Sequence, residues 1–322
     1  MISNEHTPTR HGPDTAAVAL AVDFGATKVE AALVDATGRL LPGSRHRRPT
    51  GRAATSAQLA DAVLGVSRAA LGTLPVGTAL AGAGIGSAGP VDHLAGTVSP
   101  VNAPAWVAFP LRDLVVSALA DRGERPAVLL STDGLAGALA EHWVGAGVGV
   151  ANMMAMAVST GVGGGLILGG RAYHGRSGNA GHIGHIEVAT LVGEDTLGRA
   201  GTLEAVASGP HAVAWARRAG WAGVTGEDLA ADYARGDELA VAAVTRVGEA
   251  VGAAIASATA LLDLELVVVG GGFALALPDL LGVIRAVVAG HHLQFVRQVK
   301  VVASSLSGEG PLIGAAALVH LR

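Results

Sequence analysis

An apolar run, a short glycine turn and a second apolar run occur twice in this chain, and no other feature limits its fold so tightly. The first copy is VALAVDFGATKVEAALVD, Val18 to Asp35, where Ala19 to Val22 and Val29 to Val34 are of strand length and only DFGATK separates them. A Walker-type phosphate loop would need a helix after the glycines and the spacing G-x-x-x-x-G-K, and neither is present here. Gly25 lets the backbone approach an anion and turn its N–H groups toward it, Thr27 adds a hydroxyl, and Lys28, one of only two lysines in the chain, adds a point charge. Asp23, at the strand end, is placed to meet a metal carried by a nucleotide. The second copy starts at Met153 to Val158, turns through STGVGGG and returns along Leu166 to Leu168. Its tip offers Ser159, Thr160, Gly161 and Gly163. Two such hairpins facing each other across a cleft would grip a nucleotide's phosphates from both sides, whereas each taken alone also fits an ordinary polar turn.

A third glycine turn, Gly270, Gly271 and Gly272 in VVVGGGFA, follows a Val-rich strand and precedes the helical pattern of Pro278 to Val288, a setting that suits close backbone approach to a base or ribose. Alternating strand and helix patterns over 322 residues predict an α/β protein of two lobes. The net charge of -4 gives no phosphate-neutralising surface of the kind nucleic acids need. With no cysteine there are no disulfides and no thiolate metal sites. Residues 1–15 are polar, with Pro8 and Pro13, and read as a disordered tail without the apolar centre of a signal peptide. Val144 to Gly170 carries no charged residue, but Asn152, Ser159, Thr160 and the glycine cluster make it a buried strand, turn and strand rather than a membrane span. The expectation is a soluble, cytoplasmic protein with no membrane or nucleic-acid partner.

The run DFGATK resembles the Asp-x-Gly-x-Thr phosphate hairpin of the actin-like ATPase (ribonuclease H-like) fold. AGIGSAGPVD, VNAPAW, STDG, STGVGGGLILGGRAYHGRSGNAGHIGHIEV and GTLEAVASG then narrow the resemblance to the ROK family of repressors, open reading frames and kinases. It covers the chain from about Ala19 to the C-terminus. What it implies is a two-lobed α/β fold with the nucleotide cleft between an N-terminal lobe, 16–131, and a C-terminal lobe, 132–304, and a last helix within 305–322 that returns to the first lobe. The implied activity is ATP-dependent transfer of a phosphoryl group to a hexose or N-acylhexosamine, with Mg²⁺ meeting Asp23 and with a homodimer as the assembly. Polyphosphate in place of ATP stays open.

In the family an Asp after a central strand is general base, and the matching residue is Asp133. The residues themselves also allow Asp133 to be a helix N-cap, since the strand pattern ending at Ser131 runs straight into the helical LAGALAEHW. Thr132 stands where relatives usually have Asn. Acceptor hydroxyls are held in similar proteins by residues that match Asn102, His182, His185 and Glu204, together with Asp133. Glucose-phosphorylating relatives mostly have Glu at position 182, and AGHIGH resembles N-acetylmannosamine-phosphorylating members instead. Relatives also carry three zinc-binding cysteines where this chain has Asp195, Leu197 and Thr202, so no structural zinc is expected. Two rivals follow from the same resemblance: a kinase of a sugar-like cyclitol, and a non-catalytic sugar sensor. A repressor would need a helix-turn-helix ahead of the first strand, which the polar tail does not suggest.

Overall fold

The computed structural model describes residues 17–25, 27–51, 53–100, 103, 106–188 and 201–322, the side chain of Ser307 excepted. Asn102, Asp195, Leu197 and the 1–15 tail lie outside the described residues. Strands β1 (Val18–Phe24), β2 (Lys28–Asp35), β3 (His46–Pro49), β4 (Leu80–Ser87) and β7 (Val128–Thr132) form one sheet in the order β3-β2-β1-β4-β7, with β5 (Val91–Asp92) and β6 (Thr97–Val98) paired as a small hairpin beside it. Strands β8 (Met153–Val158), β9 (Val162–Leu168), β10 (Arg171–Ala172), β11 (Leu266–Gly270) and β12 (Lys300–Ala303) form a second sheet in the order β10-β9-β8-β11-β12. The two sheets repeat one topology. In each, the first three strands in chain order run antiparallel, the first is parallel to the fourth, and the fourth is parallel to the fifth.

Both faces of β1 are covered, which is why its sequence reads as an unbroken apolar run. Val18, Leu20, Val22 and Phe24 face a core completed by α1 (Ser56–Gly72) and α2 (Leu111–Ala120), while Ala19 and Ala21 face the last helix, α11 (Gly310–His320). The alanine face is needed because α11 lies close: a Cβ on Gly84 of β4 would stand 1.8 Å from the Ala315 carbonyl oxygen. The second sheet is treated likewise. Met154, Met156, Val158, Val267 and Val269 pack on α7 (Glu238–Leu262) and its neighbours, and Met153, Ala155, Ile167 and Val268 pack on α3 (Asp133–Val144).

Helices α4 (Leu203–Ala207), α5 (Gly209–Arg218), α6 (Gly226–Ala234), α8 (Gly272–Leu275), α9 (Leu280–Ala289) and α10 (Gln294–Arg297) complete the second lobe. By length and composition α7 could cross a membrane, but 61% of its apolar window is buried in the protein, and Gly248 and Gly252 admit Val283 and Val287 of α9.

The chain thus changes sheets twice. It leaves β7 to enter α3, which packs on the second sheet, and it leaves β12 to enter α11, which packs on the first. Where α3 and α11 meet, a Cβ on Gly314 would lie 1.9 Å from the Ala136 carbonyl oxygen. The two connecting helices therefore touch backbone to backbone between the lobes.

Candidate functional site

The first glycine hairpin is anchored from below. In a chain only 3% aromatic, Phe24 stacks on Trp106 at 4.2 Å and on Phe109 at 5.6 Å, so the strand end next to Asp23 is held by the densest aromatic contact described. The turn is closed by Gly25 N–H donating to the Lys28 carbonyl at 2.9 Å, and the Gly25 carbonyl accepts from Thr50 Oγ1 at 2.8 Å. Thr27 is exposed at the tip.

Lys28 does not stand alone. Its ammonium lies 2.7 Å from Glu30 Oε2, and Arg45 and Arg47 converge on the same carboxylate. Burial alone would raise the pKa of Glu30, but hydrogen bonds from Lys28, Arg47 and Arg45 outweigh it and hold the group down at about 2. The cluster is a net cation of two charges beside the hairpin. In the sequence Lys28 stands as a single point charge, and the cluster forms only in the fold, from Arg45 and Arg47 of the arginine-rich run RHRR.

Asp23 is 8% exposed, and its pKa is pushed up to about 7, chiefly by burial and then by the charge of Asp133, with Lys28 and Arg45 opposing. Asp133 is the first residue of α3. The cap of that helix is Thr132, whose hydroxyl accepts from Leu135 N–H at 3.2 Å, so the capping role open to Asp133 in the sequence belongs to its neighbour. Thr caps helices well, as the Asn implied at this position by the resemblance also would. Asp133 accepts from Gly134 N–H at 2.7 Å through one oxygen. Its side chain reaches solvent at the cleft, yet the surrounding protein displaces enough water that burial raises its pKa, offset in part by the Gly134 N–H and by His182.

The glycines of the second hairpin divide by task. A Cβ on Gly163 would meet nothing within 4 Å, whereas one on Gly165 would stand 2.4 Å from the Gly134 carbonyl oxygen and from Leu135 Cα, and one on Gly164 would stand 2.9 Å from the Ala155 oxygen. Gly161 and Gly163 therefore face a side chain and open space, Gly165 lets β9 lie on the first turn of α3, and Gly164 makes room on the other face for Ile183 and the Gly181 carbonyl. Ser159 N–H closes the turn onto the Gly161 carbonyl at 2.9 Å. Glu204, expected toward the acceptor, is 6% exposed and accepts from Val162 N–H at 3.0 Å beneath this hairpin. In the third turn, Gly271 has φ +95°, and a Cβ there would lie 2.4 Å from the Val158 carbonyl oxygen, so its glycine serves contact between β11 and β8. Gly270 ends β11 and Gly272 opens α8.

His182 and His185 stack with ring centres 6.0 Å apart, and His185 closes a short 3₁₀ turn, Ile183–His185. His182 Nδ1 lies 2.8 Å from the Asn179 carbonyl, and its Nε2 is beside Gly89, where a Cβ would be 2.8 Å away. Asp23 feels the charge of Asp133, and Asp133 that of His182, so the three lie near one another, with Asp23 at the end of a strand of the first sheet and Asp133 at the start of the helix that joins the sheets. Of the acceptor residues expected from the sequence, Asn102 is outside the described residues.

Two sheets of one topology, joined by crossing helices, are the architecture of the actin-like ATPase fold. The pattern of the ROK family matches residues 19–322, and the chain belongs to that family. An N-acetylmannosamine kinase of Yersinia pseudotuberculosis is 35% identical over 271 residues, covering 83% of this chain and 87% of that protein. The ROK hexokinase of Thermus thermophilus superposes with a TM-score of 0.77 at 32% identity, covering 94% of this chain and 98% of that one. The ROK glucokinase of Streptomyces griseus, solved with glucose and AMPPNP, gives 0.78 at 29% identity, over 95% of this chain and 100% of that one. Fold, family and relatives make the chain an ATP-dependent carbohydrate kinase.

Proposed function

We propose that the chain transfers the γ-phosphoryl group of ATP to a hydroxyl of a hexose or N-acylhexosamine, with Asp133 as general base. The observation that carries this is that Thr132, not Asp133, caps α3, which leaves the Asp133 carboxyl exposed, with one oxygen held by Gly134 N–H and its charge felt by Asp23. The acceptor oxygen attacks the γ-phosphorus in line as its proton passes to the carboxylate; the new O–P bond forms while the bond to the β-phosphate oxygen breaks, releasing ADP. A base with a raised pKa is better matched to that proton at neutral pH than an ordinary aspartate.

The two hairpins, through Gly25, Thr27, Lys28, Ser159, Thr160, Gly161 and Gly163, would hold the phosphates, and Gly270 to Gly272 the nucleoside side. Mg²⁺ would neutralise phosphate charge. The donor set fits it: the Asp23 and Asp133 carboxylates repel one another, and a hard cation takes oxygen ligands of that kind. Asp23 would hold it, directly or through water. No zinc is called for in a chain without cysteine.

Asn102, His182, His185 and Glu204 would line the acceptor side. His182, together with the N-acetylmannosamine kinases among the relatives, favours a 2-acetamido hexose over glucose. A cytoplasmic homodimer is the setting proposed for the activity. The test is ADP release with each of a panel of 2-acetamido hexoses, hexoses and cyclitols, with ATP or polyphosphate as donor. Acceptor-dependent release highest with a 2-acetamido hexose is expected; a kcat/KM for glucose above all others overturns the substrate, and no release with any polyol overturns the reaction.

A further inference from the structure

The loop after β10 crosses from the second lobe to the first, and it does so through one side chain. Asn179 Oδ1 accepts from Val91 N–H at 2.8 Å, and Asn179 Nδ2 donates to the Val91 carbonyl at 2.9 Å. The carboxamide therefore pairs with β5 as an adjoining strand would, and only this orientation of the amide satisfies both groups. The same nitrogen also reaches the Ser177 carbonyl at 3.1 Å and Ser177 Oγ at 3.4 Å. Next to it, Gly178 has φ +85° and lies flat on His93, where a Cβ would stand 1.6 Å from the ring. Val91 is buried in the first lobe's core, so this contact joins two lobes.

The backbone of the same residue faces the cleft. A carbonyl oxygen can only accept, so the Asn179 carbonyl at 2.8 Å requires the hydrogen of neutral His182 on Nδ1. Nε2 then carries a lone pair, beside Gly89, with the His182 ring within the field of Asp133. An acceptor group lying there must bring a hydrogen, as a hydroxyl or an amide N–H does, and an ether or carbonyl oxygen would be refused.

We propose that Asn179 is a positioning residue for acceptor recognition: by clipping its loop to β5 it sets the carbonyl that locks His182 with Nε2 as an acceptor, so that the specificity of the second lobe is held in place by the first. This rests on reading the cleft as the acceptor site. Asn179 need not touch the acceptor itself.

Two measurements test it. The first uses nitrogen-15 NMR of the protein without substrate, read on the alkaline plateau of the ring-nitrogen shifts. His182, assigned by its loss in His182→Ala, is expected as the Nδ1–H tautomer in the parent and as a mixture in Asn179→Ala; an Nε2–H tautomer in the parent, or an unchanged ring in the variant, overturns the proposal. The second is a double-mutant cycle on acceptor affinity by calorimetry. Asn179→Ala should weaken acceptor binding about tenfold, the cost of two neutral hydrogen bonds, with the KM for ATP unchanged within about twofold. In a His182→Ala background it should cost less than about twofold; equal costs in both backgrounds would mean a structural contact only and refute the role. Should Asn179→Ala not fold, Asn179→Asp keeps the Val91 N–H bond, loses the bond to its carbonyl, and is read in the same two ways. Absence of phosphoryl transfer by the parent would count against the kinase reading alone, since the tautomer is read without turnover.

Discussion

Asp23 is held at a pKa of about 7 by burial and by Asp133, well above the roughly 3.9 of an unfolded aspartate. A carboxyl whose folded value is raised favours the folded state fully below its unfolded pKa, and that contribution is lost as pH rises through the folded one. Asp23→Asn removes the titration. With chelator present, the stability of the variant relative to the parent should therefore grow between pH 5 and pH 8 by on the order of 2 kcal/mol, read from urea unfolding at each pH. A constant difference would contradict the assigned environment. At this scale the sequence was legible where chemistry is local: Asp23, Gly25 and Asp133 are read from strand ends and a turn. It was not legible where partners come from elsewhere in the chain. Nothing near Lys28 marks Glu30 as the meeting point of three cations, because Arg45 and Arg47 arrive only when β3 pairs with β2.

Strands β1, β2 and β8 fall where the two strand-turn-strand units place them, whereas β9 starts at Val162, inside the string expected to be turn, because Gly163, Gly164 and Gly165 pair with Ala157, Met156 and Ala155 of β8. What a strand's glycines do depends on the element laid against it, and the string GVGGG does not carry that information. The contact between β9 and α3 makes a prediction of its own. Gly165→Ala forces a Cβ to within 2.4 Å of Leu135 Cα, a backbone atom that cannot rotate aside, so it should destabilise the fold by about 1–3 kcal/mol and lower kcat by shifting the start of α3. Gly163→Ala meets nothing within 4 Å and should leave stability within about 0.5 kcal/mol while raising the KM for ATP. Unfolding midpoints and initial rates on both variants check the pair; equal loss of stability at the two positions would contradict the division of tasks.

Across the whole molecule, two sheets of repeated topology are joined by α3 and α11, each rooted in one lobe and packed on the other, so lobe movement and the placement of Asp133 are mechanically one matter. Closure around an acceptor would exclude the water that otherwise takes the phosphoryl group. The repeat of topology follows from two hairpins in the sequence, but the exchange of helices between lobes is a product of tertiary packing and has no local signature. The central claim is that this two-lobed body turns over its acceptor through Asp133, and Asp133→Asn tests it most directly. Asparagine keeps the size and a hydrogen bond to the hydroxyl but cannot take the proton. With saturating ATP and Mg²⁺, kcat should fall by about 10²- to 10⁴-fold while the acceptor's dissociation constant changes only a few-fold. A variant whose kcat stays within about threefold of the parent's would contradict the account.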